Sequence, residues 1–221
     1  MPTSTVEDYL KHILLEEQAA GDGLVSMGRI GGALGVAPGT VTAMIKTLAD
    51  SGLLAYEPYS GVRLTDAGRQ LALHVLRRHR LVELFLVKVL RMDWSEVHGE
   101  AESLEHAISE RVIERMDEML GYPAVDPHGD PIPDARGVVR ERPLASLIDC
   151  PAGEPVRVAR VADQSPEFLQ LVERRGLKPG SGVTVVARDE AADTLELELA
   201  DGGSLALGTR AASKILVEVG G

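Results

Sequence analysis

Apolar residues in the first fifty positions recur at the spacing of one helical face. Three helices are predicted there, over about 6–17, 26–34 and 38–51. Gly35 lies in the turn between the second and third helices. Pro38 is placed to open the third helix, because proline is tolerated in the first helical turn. Two helices joined by a glycine-containing turn are typical of a helix-turn-helix.

The pattern then changes to strand and back to helix. Two short extended segments, 53–57 and 62–65, flank a turn that contains proline and glycine, which predicts a β-hairpin. Helices are predicted from about 66 to 90 and from about 95 to 120. A helix-turn-helix followed by a hairpin is the layout of a winged helix-turn-helix, so the chain is predicted to begin with a DNA-binding domain.

The last hundred residues follow a third pattern. Four of the twelve prolines lie between 121 and 133, which predicts a linker over 122–150. Beyond it, short β-rich stretches alternate with glycine-rich turns and predict a small β-barrel. These stretches are 156–161, 182–187, 195–199 and 214–219. The predicted fold class is α+β, with a winged helix-turn-helix, an all-α middle and a small C-terminal barrel.

The charge of the chain complicates the DNA-binding interpretation. The net charge is −11, from 34 acidic and 23 basic residues. DNA binding is favoured by lysine and arginine, which neutralise the phosphates. Acidity is densest over 93–118, where bound cations would cancel part of it. The sequence has neither a long apolar run nor a signal peptide, and the single Cys150 excludes a disulfide framework and a thiolate-rich metal site. These features lead us to expect a cytoplasmic protein.

The exposed start of the third helix is predicted to enter the major groove, whose width admits a helix. Its residues are small and suit close backbone approach, contact with thymine methyl groups and phosphate hydrogen bonds. The hairpin adds two side chains that reach the phosphate backbone. The predicted DNA-contacting residues are Pro38, Gly39, Thr40, Thr42, Ala43, Lys46, Tyr59 and Arg63. The alternative is a helix-turn-helix that packs only against a partner protein.

Imidazoles and carboxylates between 97 and 106 give the strongest chemical signal. On one continuous helix, four of them form a stripe about a third of the circumference wide, and an i, i+4 pair on the preceding helix adds two more. The six are His79, Glu83, His98, Glu102, Glu105 and His106. Such a set is costly to bury without a bound cation, so together they predict a metal site. The alternative is a polar face in which Arg78 and Arg80 pair with the acids.

Several stretches resemble the diphtheria toxin repressor family of metal-dependent, homodimeric transcriptional repressors. The stretches are 7–10, 41–42, 78–83, 97–106 and 127–133, in order along the chain. The resemblance implies a winged helix-turn-helix (1–65), a helical dimerisation and metal-binding domain (66–121), a Pro-rich linker (122–150) and an SH3-like domain (151–221). It implies double-stranded operator DNA and a second copy of the chain as partners, control of metal uptake, and neither membrane nor small organic substrate.

The resemblance also implies two metal sites. The primary site would be formed by Asp8, Glu102, Glu105 and His106. The ancillary site would be formed by His79, Glu83 and His98, completed by Gln164 and Glu167 from the SH3-like domain.

The primary set differs from that of iron-responsive members, which have methionine at the position of Asp8 and cysteine at that of Glu102. Oxygen-rich sites suit Mn²⁺, so we expect Mn²⁺ as the cofactor, with Fe²⁺ as the alternative. Co²⁺, Ni²⁺, Cd²⁺ and Zn²⁺ are expected to substitute in vitro. Lys11 stands where short manganese regulators have glutamate, which disfavours a two-metal cluster and favours an ancillary site.

Three other functions stay open at this point. One is an iron-responsive repressor of the same family. Another is a non-haem metalloenzyme, because two histidines and a carboxylate also bind iron in oxygenases. The third is an SH3-like interaction module fused to a storage or scaffold unit. The sequence contains no glycine-rich phosphate loop or nucleophile elbow, so we do not expect an enzyme.

Overall fold

The computed structural model describes residues 3–21 and 23–218. The chain divides into two compact units. The first comprises Met1–His79, Glu105–Ile108 and Pro133–Val138, and the second comprises Arg80–Leu104, Ser109–Ile132 and Val139–Gly221. Among the described residues, no helix combines the length and apolar character that a transmembrane span requires.

Three helices open the first unit: α1 (Ser4–Ala20), α2 (Met27–Leu34) and α3 (Pro38–Asp50). The side chain of Ser26 accepts a hydrogen bond from the backbone N–H of Arg29 and so caps the start of α2. Gly35 ends α2 in the left-handed region, with φ of 66°. The three predicted helices are confirmed. Their packed side chains include Leu10, Ile13, Leu14, Ile30, Val41, Ile45 and Leu48.

The predicted hairpin is present as β1 (Leu54–Glu57) and β2 (Gly61–Leu64), which pair antiparallel. Gly61 has φ of 146°, and a Cβ at this position would lie 2.6 Å from the carbonyl oxygen of Val25. Only glycine fits this close approach. Glu17 of α1 accepts a 2.6 Å hydrogen bond from the backbone N–H of Leu64. These contacts hold the hairpin against the helices and complete the winged helix-turn-helix.

Helix α4 (Asp66–Lys88) follows, but the predicted single helix over 95–120 is wrong. The structure has two shorter helices instead, α5 (Val97–Leu104) and α6 (Glu110–Met119). Glu105 lies in the break between them, fully buried, with both carboxylate oxygens paired to other side chains. Helical propensity is a weak preference that tertiary contacts override, and Glu105 makes such contacts in the break. Glu105 and His106 therefore follow the helical stripe and are not part of it.

The second unit contains a six-stranded antiparallel sheet in the order β3-β8-β4-β5-β6-β7. Its elements are β3 (Leu144–Ser146), a 3-10 turn (Leu147–Asp149), β4 (Pro155–Val161), α7 (Pro166–Arg174), β5 (Gly182–Asp189), β6 (Thr194–Leu199), β7 (Ser204–Gly208), α8 (Thr209–Ala212) and β8 (Ile215–Glu218). The core between sheet and α7 includes Val158, Leu169, Val172, Val185, Leu197 and Val217. All four predicted β stretches form strands, although residue 219 lies outside the described residues. Strands β3 and β7 and helices α7 and α8 had not been predicted.

The segment predicted as a linker is partly buried. Asp126, His128 and Asp130 are all less than 5% exposed. Asp126 Oδ1 accepts hydrogen bonds from the backbone N–H groups of His128 and Asp130, at 2.8 and 2.9 Å. Gly129 packs so closely on β4 that a Cβ there would clash with the Ala159 carbonyl. The prolines indicate turns, but residues 126–130 form a buried loop packed on the sheet, and β3 joins that sheet before residue 151.

Candidate metal centre

Three predicted primary ligands meet within the first unit. Asp8 lies in the second turn of α1, and Glu105 and His106 lie in the break after α5. One ligand atom from each lies within 4.8 Å of the other two. His106 Nε2 is 2.8 Å from Asp8 Oδ1 and 3.4 Å from Glu105 Oε1. The fourth predicted ligand, Glu102, belongs to the second unit, so its membership of this centre stays a prediction.

Glu105 is the buried anchor of this centre. Its Oε1 lies 2.7 Å from Lys11 Nζ, and its Oε2 lies 2.5 Å from His79 Nδ1. Lys11 is almost completely buried as well, at 1% exposure. Charged groups are buried in proteins only when they are paired. Lys11 and His79 therefore both pair with Glu105, and the role of His79 as an ancillary ligand stays a prediction.

Glu7 orients the imidazole of His106, a role that the sequence did not reveal. Its Oε2 lies 2.7 Å from His106 Nδ1, while its Oε1 pairs with Arg78 at 2.8 Å. A carboxylate on one imidazole nitrogen directs the other nitrogen towards a metal. The signal was present, because Glu7 shares the buried face of α1 with Leu10, Lys11 and Leu14.

Asp8, Glu105 and His106 form an environment that favours a cation. Burial lowers the pKa of His106, but the hydrogen bond that its imidazole donates to Glu7 and the charges of Asp8 and Glu105 outweigh that effect, so the pKa is raised overall. Positive charge on the imidazole is stabilised there by the surrounding carboxylates. Two carboxylates and an imidazole also suit Mn²⁺ and Fe²⁺, which accept oxygen and nitrogen donors. The residues present therefore fit a divalent transition metal.

A second cluster lies in the second unit. Glu83, Asp126 and His128 are all buried, and one ligand atom from each lies within 4.8 Å of the others. His128 Nε2 lies 2.9 Å from the carbonyl oxygen of Trp94 and donates to it. That bond leaves His128 Nδ1 as a buried acceptor, 3.8 Å from Glu83 Oε2 and without a hydrogen-bond partner among the described residues. A fixed tautomer with an unpaired lone pair is typical of a metal ligand.

Burial raises the pKa of Asp126 well above its usual value. The charges of Asp130 and Glu83 add to this effect, whereas Arg80 opposes it. Bringing two carboxylates together in a buried site is costly unless a cation joins them. Asp126 and His128 had been assigned to the linker. The only sign of a metal site in the sequence was that these two possible ligands are separated by a single residue, Pro127.

Two of the predicted ancillary residues, Glu83 and His98, lie together in the second unit. His98 Nδ1 lies 3.2 Å from Glu83 Oε1, and His98 Nε2 lies 3.6 Å from Glu102 Oε1. The side-chain amide of Gln164 donates to Asp130 Oδ2 at 2.6 Å, and Glu167 is exposed at the start of α7. The roles of Gln164 and Glu167 as ligands stay predictions. Arg78 and Arg80 do pair with acids, as the polar-face alternative held, but these acids are Glu7, Asp126 and Asp130.

The predicted DNA-contacting residues lie at the surface of the first unit. Thr42 is half-buried, and its Oγ1 donates to the carbonyl oxygen of Pro38 at 2.9 Å. Tyr59 is fully exposed in the hairpin turn. The other exposed members are Pro38, Gly39, Thr40, Ala43, Lys46 and Arg63. This exposure meets the requirement for a DNA contact, and the contact itself stays a prediction.

Known protein families match the chain over most of its length. The iron dependent repressor N-terminal DNA binding domain matches residues 1–62, and the iron dependent repressor metal binding and dimerisation domain matches residues 65–134. The FeoA domain matches residues 145–219. The iron-dependent repressor IdeR of Mycobacterium tuberculosis is 36% identical over 200 residues, which cover 82% of this chain and 83% of the relative. The chain belongs to the diphtheria toxin repressor family.

Other members of the diphtheria toxin repressor family are similar in sequence and in structure. The diphtheria toxin repressor of Corynebacterium efficiens is 33% identical over 196 residues, covering 82% of this chain and 83% of that protein. A manganese-dependent transcriptional repressor in complex with manganese is 41% identical, with a TM-score of 0.85, and covers 96% of this chain and 99% of its own. ScaR with bound Cd²⁺ is 33% identical, with a TM-score of 0.78, and covers 98% and 99%.

These similarities establish the class of the protein. It is a metal-dependent transcriptional repressor with a DNA-binding domain, a metal-binding and dimerisation domain and a C-terminal SH3-like FeoA domain. Members of the diphtheria toxin repressor family are regulators and not enzymes, which excludes the metalloenzyme alternative.

Proposed function

We propose that the protein is a homodimeric repressor that binds double-stranded operator DNA when Mn²⁺ occupies the Asp8–Glu105–His106 centre, and so controls metal uptake. The convergence of these three ligand groups carries the proposal. The donor set lacks sulfur, and oxygen-rich sites suit Mn²⁺. Fe²⁺ is the second candidate, because it binds most sites more tightly than Mn²⁺ does and the related IdeR is named as iron-dependent. Operator binding would place the protein in the cytoplasm.

Asp8, Glu105 and His106 would hold the ion, with Glu102 as the predicted fourth ligand. The ion supplies positive charge to a group of carboxylates that otherwise repel one another. Asp8 then holds the beginning of α1 against the 105–106 turn, while Glu7 keeps His106 in place. Since α1 packs against α2, this restricts the helix-turn-helix. A helix-turn-helix that is already restricted loses less conformational freedom when it binds DNA, so its DNA affinity is higher. Because coupling between two binding sites is reciprocal, operator DNA must in turn tighten metal binding.

Exposed apolar side chains in the second unit support the homodimer. Leu90, Val112 and Met119 are 56%, 45% and 68% exposed, and all lie within the matched dimerisation domain. Burial of exposed apolar side chains by a partner is favourable, and protein–protein contact surfaces use it. A second copy of the chain would cover them and double the number of DNA contacts.

Glu83, Asp126 and His128, together with His98, are proposed to hold an ancillary ion. Three of these side chains are almost fully buried, and His128 Nδ1 lies 3.8 Å from Glu83 Oε2 without a hydrogen-bond partner among the described residues. The amide of Gln164 donates to Asp130 in the loop that carries Asp126, and its predicted role as an ancillary ligand stays a prediction. This ion would stabilise the buried loop and would not be the trigger for DNA binding.

Trp94, the only tryptophan of the chain, reports on this ancillary site. Its ring stacks on His128 with centroids 5.5 Å apart. We expect Mn²⁺ or Co²⁺ to quench tryptophan fluorescence in the wild-type protein, and His128→Ala to weaken that event at least about 10-fold. DNA activation should persist. His74→Ala, on α4, is the matched control and should titrate like the wild type. Identical quenching in His128→Ala would remove His128 from the ligand set.

Fluorescence anisotropy with the protein's own upstream DNA tests the proposed function. Each divalent metal is titrated at constant salt, because salt alone changes DNA affinity strongly, and Fe²⁺ is titrated without oxygen. We expect DNA binding to require metal and Mn²⁺ to activate at the lowest concentration among the metals tested. Equal DNA affinity in the presence of a chelator would refute the proposal, and stronger activation by Fe²⁺ would favour the iron-responsive alternative.

A further inference from the structure

Lys11 places an ammonium group inside the proposed metal centre. Its side chain is 2% exposed, and its Nζ lies 2.7 Å from Oε1 of the fully buried Glu105. Lysine is rarely buried unless an anion pairs with it. A protein cation therefore already neutralises the ligand that is most deeply buried.

The position of Lys11 on Glu105 matters because the two carboxylate oxygens face different groups. Oε2 faces His79 Nδ1 at 2.5 Å. Oε1 faces both Lys11 and His106, whose Nε2 is 3.4 Å away and also contacts Asp8. Oε1 is thus the oxygen that faces the His106 ligand, and it is the one that Lys11 engages.

We propose that Lys11 is an internal competitor for the metal, whose ammonium must withdraw from Glu105 Oε1 before a divalent ion binds Asp8, Glu105 and His106. The inference rests on the proposed function of this centre. Two cations that share one buried oxygen repel each other far more strongly than they would in water. Lys11 therefore raises the metal concentration that the repressor needs, and so sets the threshold of its response.

The alternative role for Lys11 is to orient Glu105 and remain bound to it beside the metal. The two roles predict opposite effects of removing the ammonium. Competition predicts that metal binds more tightly without Lys11, whereas orientation predicts weaker binding, as seen when the hydrogen-bond partner of a metal ligand is lost. Binding measurements on one variant therefore separate them.

Lys11→Met keeps the length of the side chain and removes its charge. We expect its affinity for Mn²⁺, measured by the fall of the free Mn²⁺ electron paramagnetic resonance signal, to rise at least about 10-fold. Lys88→Met removes the same charge from an exposed position on α4 and should change the affinity less than about 2-fold. Unchanged or weaker affinity in Lys11→Met would overturn the proposal.

Thermal unfolding gives a second measurement, because Lys11→Met leaves Glu105 with one partner fewer and lowers the stability of the metal-free protein. Competition predicts that saturating Mn²⁺ raises the Tm of Lys11→Met by more than it raises the Tm of the wild type. An equal or smaller rise contradicts it, as does a variant that Mn²⁺ cannot stabilise. The same comparison in Lys11→Gln, which retains an amide donor but no charge, should give the same sign.

Asp8→Ala separates this inference from the proposed function. If Asp8→Ala leaves Mn²⁺ affinity unchanged, the metal centre itself is wrongly placed. If Asp8→Ala weakens Mn²⁺ binding but Lys11→Met does not strengthen it, only the competition is wrong.

Discussion

Asp8→Ala is expected to abolish metal-activated DNA binding at Mn²⁺ concentrations that saturate the wild type, with a loss of at least about 100-fold in the apparent activation constant. Asp8 is the ligand of the centre that lies on α1, so the variant loses the side chain through which a bound ion would join that helix to the 105–106 turn. The metal-free variant should stay folded, because Asp8 is only half-buried and His106 keeps its bond to Glu7. Fluorescence anisotropy with operator DNA measures the loss of activation, and circular dichroism measures whether the metal-free variant stays folded.

Glu16→Ala is a suitable control for this prediction. Glu16 lies on the same helix and pairs with Arg29 at 2.6 Å, outside the metal centre. Its removal also deletes one negative charge, so a general electrostatic effect on DNA would appear equally in both variants. Activation of Asp8→Ala at the same Mn²⁺ concentration as Glu16→Ala would disprove the role of Asp8.

Glu105→Ala is expected to lose DNA activation and also to destabilise the metal-free protein, by about 3–5 kcal/mol in the free energy of unfolding. Glu105 is fully buried, and its removal leaves the ammonium of Lys11 buried without its counter-charge. The burial of Glu105 therefore makes its loss costly to the fold as well as to the metal centre. Urea unfolding in the presence of a chelator measures the loss.

Two comparisons test the physical reason for that loss. Adding Lys11→Met to Glu105→Ala should recover part of the stability, because the unpaired charge is then removed as well. Glu102→Ala, whose side chain is 30% exposed, should cost less than about 1 kcal/mol. A similar loss in Glu102→Ala and Glu105→Ala would show that burial of Glu105 is not the cause.

Local signals predicted the DNA-binding domain well. Ser26 marks the start of α2 and Gly35 marks its end, and the turn with proline and glycine marks the hairpin. Caps and turns can be predicted because they depend on residues close together in the chain. The same reasoning failed over 95–120, where helical periodicity continues through Glu105. Glu105 lies in the break and pairs with Lys11, 94 positions away, and periodicity contains no information about such a long-range pair.

The ligand set required information that spacing does not contain. Asp8 and His106 are 98 positions apart, so only the family resemblance or the fold could bring them together. Asp126 and His128 lie close together in the chain, but they were missed because the local sequence around them was misleading. Prolines around them predicted a linker, and only the packing of Gly129 against β4 shows that the loop is buried.

Anomalous diffraction at the manganese absorption edge, from crystals grown with Mn²⁺, tests the central claim most directly. We predict an anomalous peak within coordination distance of Asp8, Glu105 and His106, and its absence in crystals of Asp8→Ala grown in the same solution. Well-ordered wild-type crystals that show no peak at these three side chains, while Mn²⁺ activates DNA binding in solution, would contradict the account.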